Sequence, residues 1–387
     1  MIRPCGVGIL SLDLSTSMML IFITIGLFVP YAILILFYRS GWNEGEAFTA
    51  DVQPGLQLSV IIAARNEAEN IGKLLRSIEA QTYPAHLFEV IVVDDHSSDD
   101  TATIASSFSF VKLIRLQFND INSYKKKAIE SGIAAASGEL MVITDADCIV
   151  KPGWLKTIAA YKEKTNAVFI AAPVVIEDQS GFLQSFQSLD FMVLQGITAA
   201  SVKKRIHNMC NGANLAYERK IFFAVNGFSG IDHIASGDDM LLMQKIAVRF
   251  PGRISYLLSK EAIVATQPAK TWREFFHQRV RWASKATNYN DIKILSALFL
   301  VYFFNCSLLA LLVAGFWVPY IWLGFLLILI AKIIVEYIFI YPVAKFYNKG
   351  YLLKLFPLYQ PLHIIYTVIA GWLGTFGSFE WKGRKVK

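Results

Sequence analysis

Three long stretches of this sequence carry no Asp, Glu, Lys or Arg: Thr16–Tyr38, Ile294–Ala331 and Leu355–Phe379. Each matches or exceeds the ~20 residues that a helix needs to cross the hydrocarbon of a bilayer. Lipid offers no partner to a stray peptide group, so segments of this kind are restricted to helices or to backbone shielded by protein. The middle stretch holds two spans, with Trp317-Val318-Pro319 as the turn and its aromatic residues at interface level. Only Arg3 and Asp13 precede the first stretch as charges, and no small-residue cleavage pattern follows it before Tyr38-Arg39, so it reads as an uncleaved anchor. In the last stretch Pro357, Pro361, Gly371, Gly374 and Gly377 favour an irregular, re-entrant or interfacial segment. Lys332 and Glu336 stand four apart inside apolar sequence. They pair on one helix face or, the expected reading, each reaches a nearby interface with its long side chain.

Composition agrees: 55% hydrophobic and 17% charged residues are not the proportions of a soluble domain. The net charge of +7 lies partly in Lys125-Lys126-Lys127, Lys203-Lys204-Arg205 and the tail Lys382, Arg384, Lys385 and Lys387. These are solvated faces, or they attract a nucleoside diphosphate or anionic lipid headgroups. No recognition module accompanies the charge, so nucleic acid is not expected. Cys5, Cys148, Cys210 and Cys306 are isolated and indicate neither disulfides nor zinc.

Between the first and second apolar stretches, about 250 residues alternate between buried-strand and helix patterns, the signature of a mainly parallel α/β sheet with helical cover. Strands are expected at Leu58–Ala63, Glu89–Val93, Lys112–Leu116 and Glu139–Thr144, and helices at Glu67–Gln81 and Lys125–Ala136, with Ser98 or Asp99 capping a helix between them. This order puts Asp94-Asp95 and Asp145-Ala146-Asp147 at the carboxyl ends of strands, the edge where open α/β sheets bind ligands. Two carboxylates spaced as Asp145 and Asp147 suit a hard divalent cation that keeps waters and substrate phosphates. The bland alternatives are a turn with a helix cap for Asp94–Asp99 and acids favoured by the dipole of the helix at Met240–Val248 for Asp238-Asp239. Trp272–Lys285 is basic, aromatic and amphipathic, as an interfacial helix is. Gln278, Arg281 and Trp282 share one of its faces, able to meet a diphosphate and stack on a sugar. His207, His233, His277 and His363 are scattered, with no nucleophile motif beside them, and read as structural.

Taken in order, Ser59-Val-Ile-Ile-Ala-Ala-Arg-Asn-Glu67, Val92-Val-Asp-Asp95, Lys125 with Ala128, Asp145-Ala-Asp147, Gly212-Ala-Asn214, Gly237-Asp-Asp239 and Gln278-Arg-Val-Arg-Trp282 resemble the membrane-bound family 2 inverting glycosyltransferases, among them cellulose, chitin and hyaluronan synthases and ceramide glucosyltransferases. The resemblance spans about residues 57 to 285. It implies a GT-A fold, a nucleotide-sugar donor, most often a UDP-sugar, and a divalent cation, Mg2+ or Mn2+. By motif match Ala63, Arg65, Glu67 and Asp95 contact the nucleoside, Lys125 and Asp145 the donor, and Asp145 with Asp147 the cation. Asp239 is implied as general base beside Asp238. Gly212, Ala213 and Asn214 line the acceptor path, and Gln278, Arg281 and Trp282 close over diphosphate and acceptor. Two departures stand out: Ala63 or Ala64 replaces the proline common before Asn-Glu, and Asp238 replaces the usual Glu of the base motif.

The expected organisation is an anchor at 1–40, a linker at 41–56, the GT-A domain at 57–270, the interfacial helix at 271–290, a C-terminal membrane region at 291–380 and a basic tail at 381–387. The resemblance puts the catalytic domain on the cytoplasmic side, and Arg39 at the inner end of the first span fits. Transfer of one sugar to a lipid or lipid-linked acceptor is the leading reading. Processive polysaccharide synthesis comes second, because the spans are too few and too apolar for a wide polar channel, and an inactive membrane scaffold comes third.

Overall fold

The computed structural model describes residues 14–51, 53–117, 124–206, 209–234, 237–285, 289, 291–376, 379–381 and 384–386. The readings placed on Arg3, Cys5, Asp13, His207, Gly377, Lys382 and Lys387 lie outside these residues. In chain order the elements are α1 (Leu14–Asn43), β1 (Leu58–Ala64), α2 (Ile71–Glu79), β2 (Phe88–Asp94), α3 (Thr101–Ser106), β3 (Val111–Arg115), α4 (Tyr124–Ala134), β4 (Leu140–Asp145), β5 (Cys148–Val150) and α5 (Trp154–Lys164). Then follow β6 (Phe169–Ala171), β7 (Val174–Ile176), α6 (Phe182–Lys204), β8 (Leu215–Glu218), α7 (Arg219–Ala224), α8 (Met240–Arg249), β9 (Ile254–Tyr256) and β10 (Val264–Thr266). The chain continues through α9 (Trp272–Ser284), α10 (Ile292–Ala314), α11 (Ile321–Phe346) and α12 (Phe356–Phe376), and Phe379–Trp381 pairs with Arg384–Val386 in a short hairpin.

Valine and isoleucine runs form strands buried on both faces, as a parallel sheet requires. Val60 and Ile62 of β1 pack with Leu74, Leu75 and Ile78 of α2, while Ile61 points the other way, to Ile129 and Ile133 of α4. Each such fully buried aliphatic side chain contributes ~1.5–3 kcal/mol. The sheet order is β3-β2-β1-β4-β8-β6-β9, with β1 to β4 mutually parallel and β8 antiparallel to both its neighbours. Ala63 is in register with both Val93 and Asp145, so the strand ends that carry the acids finish side by side. A smaller sheet, β5-β10-β7, sets Thr266 opposite Cys148, next to Asp147.

Among the described residues four helices are long and apolar enough to cross a membrane: Ser15–Asn43, Ile292–Ala314, Ile321–Phe346 and Gly350–Thr375. The Trp317–Pro319 turn separates α10 from α11 as expected. α12 corrects the expectation of an irregular segment. Pro357 sits in the first turn of α12, where a missing N–H costs nothing, and Pro361 is carried inside one continuous helix. Its glycines serve close approach: a Cβ on Gly371 would stand 2.7 Å from the Tyr302 ring of α10.

The expected snorkelling of Lys332 and Glu336 is also corrected. Both are buried, and Lys332 Nζ donates to Glu336 Oε1 at 2.7 Å and to Gln360 Oε1 of α12 at 2.6 Å. Gln360 Nε2 and the Tyr31 hydroxyl of α1 donate to Glu336 in turn. A buried pair repays its desolvation only when the surrounding hydrogen bonds are made, and here three helices supply them.

α6 joins the membrane helices to the catalytic sheet. Phe186, Leu189, Met192 and Ala200 pack in one apolar cluster with residues of α1, α10 and α11. On the sheet side Gln195 Oε1 accepts the Val174 amide at 3.1 Å. Cys148, Cys210 and Cys306 are free thiols.

Candidate functional site

The carboxyl ends of β1, β2 and β4 open into one cavity of about 1190 Å³. That exceeds the usual ~300–1,000 Å³ of a single-ligand pocket and leaves room for two substrates. Of the expected nucleoside residues, Ala63, Arg65, Glu67 and Asp95 all line it. Arg65 Nη1 donates to the Asp95 carbonyl at 2.9 Å, with the Asp95 carboxylate 3.8 Å away. Asn66 and His96 turn the two strand ends through left-handed backbone, φ 52° and 54°, a region that asparagine and histidine enter more readily than most residues. Asp99 accepts the Thr101 amide at 3.1 Å, but the N-cap position of α3 falls to Asp100, one residue after the expected Ser98 or Asp99.

Lys125, at the start of α4, bridges two acids: its Nζ is 2.7 Å from Asp145 Oδ1 and 3.3 Å from Asp238 Oδ2. Burial pulls its pKa down, but Asp145 and Asp238 outweigh it and hold the ammonium well above the ordinary lysine range. Asp147 Oδ2 accepts from the Thr266 hydroxyl at 3.3 Å. Among the described residues no three His, Cys, Asp or Glu side chains cluster as a complete metal site. Two adjacent hard carboxylates still fit a Mg2+ or Mn2+ ion whose remaining ligands are phosphate oxygens and water.

Asp239 closes the acidic set at the N-terminus of α8. Its Oδ1 accepts from the Met240 amide at 2.7 Å and pairs with Lys285 Nζ at 3.4 Å, and its Oδ2 accepts from the Gly212 amide at 3.1 Å. Burial pushes this carboxyl up, but Lys285 first and Lys125 second more than reverse it, leaving it below the usual carboxylate range. Gly212 is placed so that a Cβ would lie 3.3 Å from Lys125 Nζ and 3.5 Å from Asp238 Oδ2, so any side chain there would press on the bridge.

Gln278, Arg281 and Trp282 face the same cavity, as their spacing on α9 implies. Burial weakens the hold of Arg281 on its proton, against the opposing pull of Asp145, Asp238 and Asp239. Gly212 and Ala213 line the wall, but Asn214 does not. Its side chain is fully buried: Nδ2 donates to the Pro173 and Ala262 carbonyls at 2.8 and 2.7 Å, and Oδ1 accepts from Trp154 Nε1 at 3.0 Å. Those bonds tie the start of β8 to the β6–β7 link, to the approach to β10 and to α5, and they use both amide hydrogens.

Sequence reasoning missed a second polar centre. Arg279 lies on the buried side of α9, its Nη2 2.8 Å from Asp190 Oδ2 of α6, with both side chains 4% exposed. The Tyr366 hydroxyl of α12 also donates to Asp190, and His363 Nε2 stands 3.9 Å from it. The Arg279 guanidinium lies 4.3 Å from the Trp282 ring centre and 4.7 Å from that of Phe275. This centre therefore fixes the back of Trp282 and connects α6, α9 and α12. One signal was available: Asp190 is the sole charged residue from Gly181 to Val202, and an acid alone in an apolar run marks a buried partner. His363, read as structural, lines the cavity as well.

Residues 59–223 match the model of the glycosyl transferase family 2. The chain is 30% identical over 184 residues to glycosyltransferase AglE of Haloferax volcanii, covering 47% of this chain and 59% of that one. It is 25% identical over 234 residues to the poly-beta-1,6-N-acetyl-D-glucosamine synthase of Staphylococcus epidermidis, covering 58% and 53%. The chain thus spans little more than half the length of these two relatives. In fold it is similar to the mannosyltransferase PcManGT of Pyrobaculum calidifontis, solved with GDP-Man and Mn2+, at a TM-score of 0.59 and 19% identity over 92% of this chain and 97% of that one. The sheet order, the acid-lined strand ends and the matched segment agree: residues 59–223 match the glycosyl transferase family 2, within a GT-A-like fold joined to helices long and apolar enough to cross a membrane.

Proposed function

We propose that this protein is a membrane-bound inverting glycosyltransferase that moves one sugar from a nucleotide-sugar donor to a lipid or lipid-linked acceptor at the cytoplasmic face. One observation carries the reading: a single cavity runs from the acids at the sheet edge to residues of α10 and α12. The family resemblance favours a UDP-sugar as donor. Ala63, Arg65, Glu67 and Asp95 take its nucleoside end, and Lys125 and Asp145 its sugar phosphate. A divalent cation held by Asp145 and Asp147 would neutralise charge on the departing diphosphate, and Arg281 adds to that stabilisation.

The acceptor hydroxyl oxygen attacks the anomeric carbon from the side opposite the diphosphate. Its proton passes to Asp239, the bond from the anomeric carbon to the diphosphate oxygen breaks, and the nucleoside diphosphate leaves with the bonding pair. A single displacement inverts the anomeric configuration and needs one base only. Asp239 is suited to that part because Lys285 and Lys125 keep it ionised at neutral pH. Asp238, through its contact with Lys125, steadies the donor side. Gly212 and Ala213 border the acceptor path, and Gln278 and Trp282 close over it.

The cytoplasmic assignment is supported by charge: Arg39 lies near the end of α1, and the Lys203-Lys204-Arg205 run is tied by the ion pair of Lys204 to Glu44, just past that end. A polymer channel would need a polar lumen, whereas the cavity continues along apolar side chains such as Leu298, Phe299 and Phe303. The test is release of nucleoside diphosphate by the purified protein with Mg2+ or Mn2+, over a panel of nucleotide sugars, with and without lipid extract. The reading expects metal-dependent, lipid-stimulated release from one donor that Asp239→Asn abolishes. Undiminished release by that variant would remove Asp239 as the base, and no release from any donor would sink the transferase reading.

A further inference from the structure

The membrane end of the cavity narrows the chemistry of the acceptor. Leu295, Leu298, Phe299 and Tyr302 recur at one-face spacing on α10, and Tyr366, Thr367, Ala370 and Gly371 do the same on α12. The two helices touch where Gly371 meets Tyr302, and the cavity follows the seam on either side of that contact. Leu298, Phe299, Phe303 and Trp372 both line the cavity and are 44%, 58%, 53% and 60% exposed, so it reaches the surface through apolar side chains. Such a continuous apolar exit marks a surface that meets hydrocarbon.

Charge bounds the head. The described lining holds five basic residues, Arg65, Lys125, Arg279, Arg281 and Lys285, against six acids, Glu67, Asp95, Asp145, Asp147, Asp238 and Asp239. A nucleotide sugar and a divalent cation add opposite charges of equal size, so the balance stays on the acidic side. Lys285 is paired with Asp239, and Arg279 with Asp190. An anionic lipid head would find no surplus cation to meet it. A neutral hydroxyl head needs no such cation, and His363 lines the cavity wall on α12 beside the seam residues.

We propose that the α10–α12 seam holds the hydrocarbon tail of a neutral, hydroxyl-bearing lipid acceptor, with the head near His363 and the hydroxyl directed to Asp239. This rests on the transferase reading above and deepens it by naming the acceptor class. It places Leu298, Thr367 and Trp372 as tail contacts and excludes phosphate-headed lipids as good acceptors.

The test is photolabelling of the full-length protein in phosphatidylcholine nanodiscs, with donor and Mn2+ present. The probe is a diacylglycerol carrying a diazirine midway along one acyl chain, compared with the phosphatidic acid bearing the same chain. The expected result is label on α10 and α12 peptides containing Leu298 and Trp372, about tenfold stronger for the diacylglycerol. Equal or stronger labelling by the phosphatidic acid overturns the neutral head. Label confined to the outward faces of α1 and α11 overturns the seam. Leu298→Trp and Thr367→Trp each narrow the seam and should cut its labelling while general lipid labelling of α11 persists. Leu298 is exposed on α10, so its variant carries the test if Thr367→Trp does not fold. Nucleoside diphosphate release, followed in the same samples over the donor panel, separates the two claims: release with label elsewhere refutes the seam alone, and no release refutes the transferase reading.

Discussion

Replacing Asp190 with Asn swaps one oxygen for an amide and deletes one buried charge, and the neighbours determine the cost. Asp190 and Arg279 are each 4% exposed with 2.8 Å between Oδ2 and Nη2. Arginine does not shed its proton, so Asp190→Asn leaves a buried cation without its counter-ion, at about 3–5 kcal/mol. The Tyr366 hydroxyl keeps an oxygen to donate to, so its bond of ~1 kcal/mol survives and the loss is electrostatic. Arg279→Met strands the carboxylate at similar cost and also removes the cation from the face of Trp282, a contact worth about 1–2 kcal/mol. The double variant holds neither charge. Its loss should fall at least ~2 kcal/mol short of the sum of the singles, a coupling at the upper end for residues in contact. Denaturant titration in detergent, followed by tryptophan fluorescence, measures all four corners of the cycle. Additivity within ~0.5 kcal/mol, or single losses below the ~1 kcal/mol of an exposed pair, would refute the claim that this pair is dry and mutually dependent.

Other outcomes follow from the same geometry. Asp239→Asn should lower kcat by at least ~100-fold while calorimetry still detects donor binding. Loss of donor binding instead would make Asp239 a donor ligand. Lys285→Met removes the largest of the forces that hold the Asp239 carboxyl down against burial, so its folded pKa rises and the acidic limb of the kcat/KM profile should move to higher pH; an unmoved or lowered limb contradicts the pairing. Asp147→Ala should raise the Mn2+ concentration for half-maximal activity, and an unchanged metal titration would take Asp147 out of the cation site. Asn214→Ala leaves the Ala262 carbonyl and the Trp154 N–H without their partner, while the Pro173 carbonyl keeps the Val264 amide, and should cost about 3 kcal/mol in denaturant titration. A raised acceptor KM at full stability would return Asn214 to the acceptor path.

What could be read from the chain, and what could not, divides along local and non-local physics. β1, β2 and β4 were legible because Leu58-Ser-Val-Ile-Ile-Ala63, Glu89-Val-Ile-Val-Val93 and Glu139-Leu-Met-Val-Ile-Thr144 are short, doubly apolar runs that fit strands buried on both faces. The acids that follow them therefore had only one edge to occupy, and Asp95, Asp145 and Asp147 meet there. α6 gave no such signal. It is buried nearly all round, so no amphipathic stripe marks it, and Gln187, Asp190 and Gln195 look arbitrary until β7, α9 and α12 close on them. The surroundings of Asn214 were not legible, because an ordered motif gives sequence position but not the direction of a side chain: Gly212 faces Lys125 and Asp238, whereas two residues on the amide is turned to the Pro173 and Ala262 carbonyls. Lys332 and Glu336 were read as snorkelling because their partners Gln360 and Tyr31 lie on other helices, 28 and 305 residues away. Helical spacing within α11 could reveal the pair but not the network that makes its burial tolerable.

The proposed reaction is a single inverting transfer to a lipid. It is tested most directly by the product formed from an α-linked nucleotide sugar in a membrane containing the neutral hydroxyl lipid, with sugar number read by mass spectrometry and anomeric configuration by NMR. The account predicts a lipid carrying one sugar in β linkage; an α-linked product, or a ladder of many sugars, would contradict it.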